Sequence, residues 1–215
     1  MFDCIEEKKL RVMEFLYLTG ALKINFEEPY LLSSGVRSPL YIDASALISD
    51  VNARTRCSGP LLFFINESHP VTDAVVGIAN GGTVWASPIA NSKLVPLLYV
   101  LTSPKDHGLY NQIAGEIPFD GAKVIVLDDV ITTGKSALSA VNALRAGKNG
   151  KKAEVLGVYS VFDWDIPSVN KLFEENNIEK HSLVTVRELL EFGVQKQLLD
   201  KEVAQKLFAF YNGLD

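Results

Sequence analysis

The sequence predicts an α/β fold, a mainly parallel central sheet flanked by helices, on three observations. From residue 50 onward, apolar runs of strand length alternate with longer helical patterns, the order that β-α-β units impose. The strand candidates are continuously apolar, as strands covered on both faces are. At 47% apolar and 22% charged residues the chain is composed like an ordinary globular protein, which excludes intrinsic disorder as the basis of function. A chain of 215 residues buries roughly 70% of its unfolded surface, enough for one sizeable core. A single domain over 1–215 is expected.

The elements follow in order. Residues 5–22 read as an amphipathic helix, with Leu10, Met13, Leu16 and Tyr17 at helical spacing. Extended pieces follow around Leu31 and Tyr41, joined by the turn-rich Ser33-Ser34-Gly35-Val36-Arg37-Ser38-Pro39. Strands are predicted at Ala74–Ile78, Val95–Leu101, Val124–Leu127, Val155–Phe162 and Ser182–Val186, and helices over 51–67, 83–93, 136–147 and 168–176. Thr185-Val186-Arg187-Glu188 has the form of a capping box and predicts a helix start, and a last helix is expected over 200–212.

With 21 basic and 26 acidic residues the net charge is −5, which offers no global attraction for nucleic acid or an anionic membrane, so neither is expected as a partner. Cys4 and Cys57 are too few for a disulfide framework, and neither lies in a spacing that holds zinc. The N-terminus is charged where a secretory signal is apolar, and no run approaches the roughly 18 apolar residues of a membrane span. A cytoplasmic location is expected.

In parallel α/β sheets ligands collect at the carboxyl ends of strands, where loops enter helix N-termini that present unpaired N–H groups. The most informative such loop is Val124-Ile125-Val126-Leu127-Asp128-Asp129-Val130-Ile131-Thr132-Thr133-Gly134-Lys135-Ser136. Its backbone N–H groups and the Thr133 and Ser136 hydroxyls can cradle one phosphate, and Gly134 lets the backbone come close. Asp128 and Asp129 would repel that anion, so they suit ribose hydroxyls, magnesium or a developing positive charge. The ending Gly134-Lys135-Ser136 matches the end of a P-loop, but Asp129 stands where the first glycine is required, which disfavours a Walker-type NTPase. A buried acidic pair without a task is costly, which weighs against a purely structural reading of the doublet. Lys105-Asp106-His107-Gly108 alone is an ordinary solvated loop, and Gly81-Gly82 alone an ordinary turn.

These thirteen residues resemble the phosphoribosyl-pyrophosphate (PRPP) motif of the type I phosphoribosyltransferases. The resemblance extends over nearly the whole chain to the orotate phosphoribosyltransferase family. Ser34–Asp43 looks like its base-binding hairpin, Gly77–Gly82 like its pyrophosphate loop, Pro104–Gly108 like its mobile catalytic loop, and Leu183–Leu190 also fits. The resemblance implies the type I phosphoribosyltransferase fold with a small hood from about 1–45 and 163–215. It implies transfer of orotate to PRPP with magnesium as cofactor, in a homodimer whose catalytic loop acts across subunits. The catalytic residues it implies are Asp128, Asp129, Lys105 and His107. PRPP would be held by Ala79, Asn80, Gly81, Gly82, Val130, Ile131, Thr132, Thr133, Gly134, Lys135 and Ser136. Tyr41, Ile42, Thr132 and Trp164 would meet the base, and Asp128 and Asp129 would hold magnesium indirectly, through PRPP and water.

Five positions at which the family usually carries a cation carry none: Ser33, Ser45, Leu101, Thr102 and Trp164. Leu109-Tyr110-Asn111 replaces a usually glycine-rich stretch. Each charge-assisted hydrogen bond contributes on the order of 1.5–3 kcal/mol, so losing two or three matters for a polyanionic substrate. Two classes therefore stand open at the level of sequence. One is a working transferase, with Arg37, Lys105, Lys135 or a second metal supplying the missing charge, acting on orotate or on a base without a carboxylate. The other is a regulator that binds nucleotide or PRPP without turnover.

Overall fold

The computed structural model describes residues 2–32, 35–101 and 112–214. In chain order the elements are α1 (Phe2–Leu18), β1 (Leu22–Ile24), β2 (Tyr30–Leu31), β3 (Arg37–Ser38), β4 (Leu40–Ile42), α2 (Ala44–Ser49), α3 (Val51–Ser68), β5 (Ala74–Ile78) and α4 (Gly81–Lys93). There follow β6 (Leu97–Val100), β7 (Ile113–Ala114), β8 (Ala122–Ile131), α5 (Lys135–Ala146), β9 (Ala153–Asp163), α6 (Pro167–Glu175), β10 (Lys180–Thr185), α7 (Val186–Gln195) and α8 (Lys201–Tyr211).

Six strands form the central sheet in the order β10-β9-β8-β5-β6-β7, with every neighbouring pair parallel except β6 and β7. Successive strand residues face opposite ways, and the core divides accordingly. Val75, Ile125, Leu127 and Tyr159 join one apolar cluster, while Ala74, Val76, Val124, Val126 and Val158 join the other. The second face is covered by α5 and α6 through Ala137, Val141, Leu144, Val169 and Phe173. The first is covered by α3 and α4 and by residues from both ends of the chain, among them Leu16, Leu40, Ile42, Leu189 and Leu207. The terminal segments thus share one continuous core with the sheet.

The differences from the sequence reading have local causes. The first helix ends at Leu18 instead of residue 22 because Gly20 takes φ +68, a left-handed stop that costs glycine little. Leu22–Ile24 then pairs antiparallel with β4, Leu22 opposite Ile42. Short α2 starts where the Asp43 side chain accepts from Ser45 N at 3.2 Å. Strand β8 runs past its apolar core to Ile131, because β9 continues beside it and pairs Asp128 with Ser160 and Val130 with Phe162. The antiparallel edge strand β7, two residues long, lies below the length at which a periodic pattern is legible. The predicted capping box is formed: the Thr185 hydroxyl accepts from Glu188 N at 3.3 Å, and the Glu188 carboxylate accepts from Thr185 N at 2.8 Å.

Candidate active site

The sheet reverses its winding between β5 and β8: from β5 the chain proceeds outward to β6, and from β8 the other way to β9 and β10. Ligands bind in the crevice at the carboxyl ends of strands at such a switch point. A cavity of about 520 Å³ lies there, lined by Ile78–Gly81 after β5, Asp128–Val130, Thr132 and Ser136 after β8, Trp164 after β9, and Leu31, Leu32 and Tyr41–Ser45 from the N-terminal hairpins.

Three glycines shape the β5 side. A Cβ on Gly77 would lie 2.5 Å from Thr83 Cα, and one on Gly82 would lie 2.1 Å from Leu127 O, so α4 packs against the strands at backbone contact. A Cβ on Gly81 would fall 2.1 Å from Asp129 Oδ2, which means that the Asp129 carboxylate rests directly against this turn. Gly82 is therefore a packing residue beneath the cavity rather than part of its lining. The Ala79–Asn80 peptide bond is cis.

The acidic doublet has two unlike members. Asp128 is 7% exposed, and burial first, then the neighbouring Asp129 charge, hold its carboxyl well above the ordinary 3.8. Asp129 is half-buried; its N–H donates to Asp128 Oδ1 at 3.0 Å, and its own Oδ1 accepts from Val130 N at 2.9 Å. Among the described residues neither carboxylate has an ion-pair partner. Helix α5 has Gly134, φ +69, as its N-cap and no acid in its first turn; the Lys135 N–H donates to Thr133 Oγ1 at 3.4 Å, and the next N–H groups of the turn remain available to an anion. A Cβ on Gly134 would meet Phe173 at 2.8 Å.

Of the residues predicted to bind PRPP, the cavity lining includes Ala79, Asn80, Gly81, Val130, Thr132 and Ser136. Ile131 is buried in the core, and Thr133, Gly134 and Lys135, which form the turn between Thr132 and Ser136, are not themselves lining residues. All four predicted base contacts, Tyr41, Ile42, Thr132 and Trp164, line it. Trp164 forms an apolar wall: it is 2% exposed, edge-on to Phe162 at 5.8 Å and tilted against Tyr211 at 5.3 Å. Lys105 and His107 lie outside the described residues, as do Ser33 and Thr102. Leu101 sits where the chain leaves the sheet, its N–H donating to Gln112 O at 2.8 Å.

Arg37 and Lys135, offered above as substitutes for the missing cations, do not line the cavity; Arg37 is exposed and reaches Pro29 O at 3.5 Å. Among the described residues Lys23, itself outside the lining, comes to its edge, paired at 2.7 Å with Asp43, a lining residue that also accepts from the Ser45 hydroxyl. Its ammonium lies 6.0 Å from the Tyr41 ring. Sequence reading gave Lys23 no role because the first helix was drawn up to residue 22, and it gave Asp43, the last residue of the hairpin-like stretch, no role of its own although an Asp before a short helical run is an N-cap signal.

The profile of the phosphoribosyl transferase domain matches residues 53–163, from α3 to the end of β9. The chain is 34% identical to an orotate phosphoribosyltransferase of Coxiella burnetii over 199 residues, 93% of each chain. The chain belongs to the orotate phosphoribosyltransferase family. Another member, from Bacillus cereus, is 31% identical over 93% of this chain and 92% of its own. The crystal structure of orotate phosphoribosyltransferase from Aeropyrum pernix superposes with a TM-score of 0.71 at 30% identity, over 84% of this chain and 96% of that one. Family membership gives the type I fold its name and accounts for a cavity at the β5–β8 switch point.

Proposed function

We propose that this chain joins orotate to PRPP, forming orotidine 5'-monophosphate and pyrophosphate, as a glycosyltransferase of pyrimidine nucleotide synthesis. One observation carries the reading: a single cavity sets Asp128 and Asp129 between the Ala79–Gly81 loop, the turn that opens α5, and the Tyr41, Ile42 and Trp164 wall. The leading N–H groups of α5 with the Thr132 and Ser136 hydroxyls receive the 5'-phosphate. The backbone of Ala79–Gly81, leading into α4, receives pyrophosphate. Asp128 and Asp129 hold the ribose hydroxyls and offset the positive charge that develops at C1 as its bond to pyrophosphate breaks and the bond to orotate N1 forms.

Hard carboxylate oxygens without an ion-pair partner among the described residues fit a magnesium ion bound through substrate and water, with Asp128 and Asp129 as the residues that would hold it. When bound, magnesium neutralises charge on the pyrophosphate and ribose oxygens. The reading includes the hood from about 1–45 and 163–215, a homodimer in which Lys105 and His107 of one subunit cover the leaving group in the other, and a cytoplasmic setting. Among the described residues no helix is long and apolar enough to cross a membrane. The test is pyrophosphate release by the purified protein with magnesium, PRPP and, separately, orotate, uracil and adenine. Release with orotate is expected; release only with another base, or none with any, overturns the reading.

A further inference from the structure

The chain has three histidines, and the fold brings two of them together far from one another in sequence. His69 caps the C-terminus of α3, and His181 lies on the edge strand β10, two residues after Glu179. We propose that His69, Glu179 and His181 form a binding site for a zinc-like divalent transition-metal ion at the β10 edge of the sheet.

The donor atoms already stand near coordination geometry. Glu179 Oε2 is 3.5 Å from His69 Nε2 and 3.3 Å from His181 Nε2, and the three atoms lie within 4.8 Å of one another. A tetrahedral zinc ion with bonds of about 2.0–2.1 Å to nitrogen and oxygen needs its ligand atoms about 3.3 Å apart. Two of the three edges are therefore in place, and a small turn of His181 or Glu179, neither of them fully buried, closes the third. Two imidazoles and a carboxylate are a donor set suited to zinc, with one coordination position left for water.

The surroundings support ligation. His69 Nδ1 lies 2.6 Å from Tyr159 Oη, and in the tautomer whose Nδ1–H donates to that oxygen, the one metal binding requires, Nε2 is the lone-pair atom facing Glu179. The Tyr159 ring stacks on His181 at 4.8 Å with an interplanar angle of 20°, and Phe64 meets His181 edge-on at 5.6 Å, so the His181 imidazole is held from behind. None of the three residues lines the cavity at the switch point. Glu179 and His181 open instead on a separate groove with Lys180, Ser182 and Thr185. Sequence spacing could not reveal the site, because one ligand comes from α3 and the other two from β10 and its approach.

The full chain, stripped with chelator and free of magnesium and substrates, is titrated with zinc by calorimetry and with cobalt by visible absorption. One ion per chain is expected, with cobalt bands of nitrogen and oxygen coordination at low symmetry. Glu179→Gln, at a residue whose side chain is 65% exposed, and His181→Ala each weaken binding at least tenfold. Tyr159→Phe weakens it less, and His107→Ala leaves it unchanged. Zinc raises the melting temperature of the parent but not of the His69→Ala/His181→Ala variant. Absence of stoichiometric binding, or equal affinity in the parent, Glu179→Gln and His181→Ala, overturns the proposal.

Discussion

Replacing Gly81 by alanine tests the position of Asp129 without touching it. The added Cβ falls 2.1 Å from Asp129 Oδ2 and 2.3 Å from its Cγ, whereas ordinary van der Waals contact begins at 3.4 Å. The carboxylate must retreat by about 1.3 Å, and a misplacement of roughly 1 Å at a reacting centre costs about 10²-fold in rate. Stability should change by no more than about 1 kcal/mol, because the group displaced is the tip of a side chain and alanine is the better helix former at the start of α4. Gly82→Ala is the contrast. Its Cβ meets the Leu127 carbonyl oxygen at 2.1 Å and Asp128 Cα at 3.0 Å, both backbone, so the helix must move and the fold loses about 1–3 kcal/mol. The assay is kcat from pyrophosphate release beside ribose 5-phosphate affinity and urea unfolding. Gly81→Ala should show a fall in kcat of about 10² with phosphate affinity and unfolding midpoint nearly intact. Turnover within about threefold of the parent, in folded protein, would refute the role given to Asp129 in the transition state.

Asp129→Asn keeps the shape and removes the charge, so turnover should fall by at least about 10²-fold while ribose 5-phosphate binding changes little; equal losses in both would show the carboxylate acting on the phosphate instead. Asp128, raised above 3.8 by burial and then by Asp129, binds its proton more tightly in the folded state than in the unfolded one. Its contribution to stability is therefore complete below about 3.8 and is lost as pH rises through the folded value. In magnesium-free buffer Asp128→Asn should melt above the parent at pH 8, with the gap narrowing toward pH 4; a gap independent of pH would contradict the assignment. Thr185→Ala removes the hydroxyl that accepts from Glu188 N and should lower unfolding free energy by about 1 kcal/mol in urea, with kcat unchanged.

What was legible in the sequence was local. The Val124–Ser136 stretch carries its chemistry in adjacent residues: an apolar strand that must be buried, two acids that burial makes costly, and an uncapped glycine turn that opens a helix. The continuously apolar strands likewise implied a sheet covered on both faces, which the two core clusters bear out. Thr185 and Glu188 announced a helix start that the hydrogen bonds form.

Tertiary structure decided everything that joins distant segments. Only strand order puts the ends of β5 and β8 side by side, and only backbone approach at Gly81 shows that Asp129 is seated against the opposite loop. Lys23 reaches Asp43 because β1 pairs with β4, a pairing hidden when the first helix is drawn past its glycine stop. His69 and His181 meet across α3 and β10, more than a hundred residues apart. Short-range patterning depends on side chains within one turn or one pleat, so a single sequence displays it. Long-range pairing is chosen by the burial of whole faces against one another, and no window of the chain contains both sides of that contact.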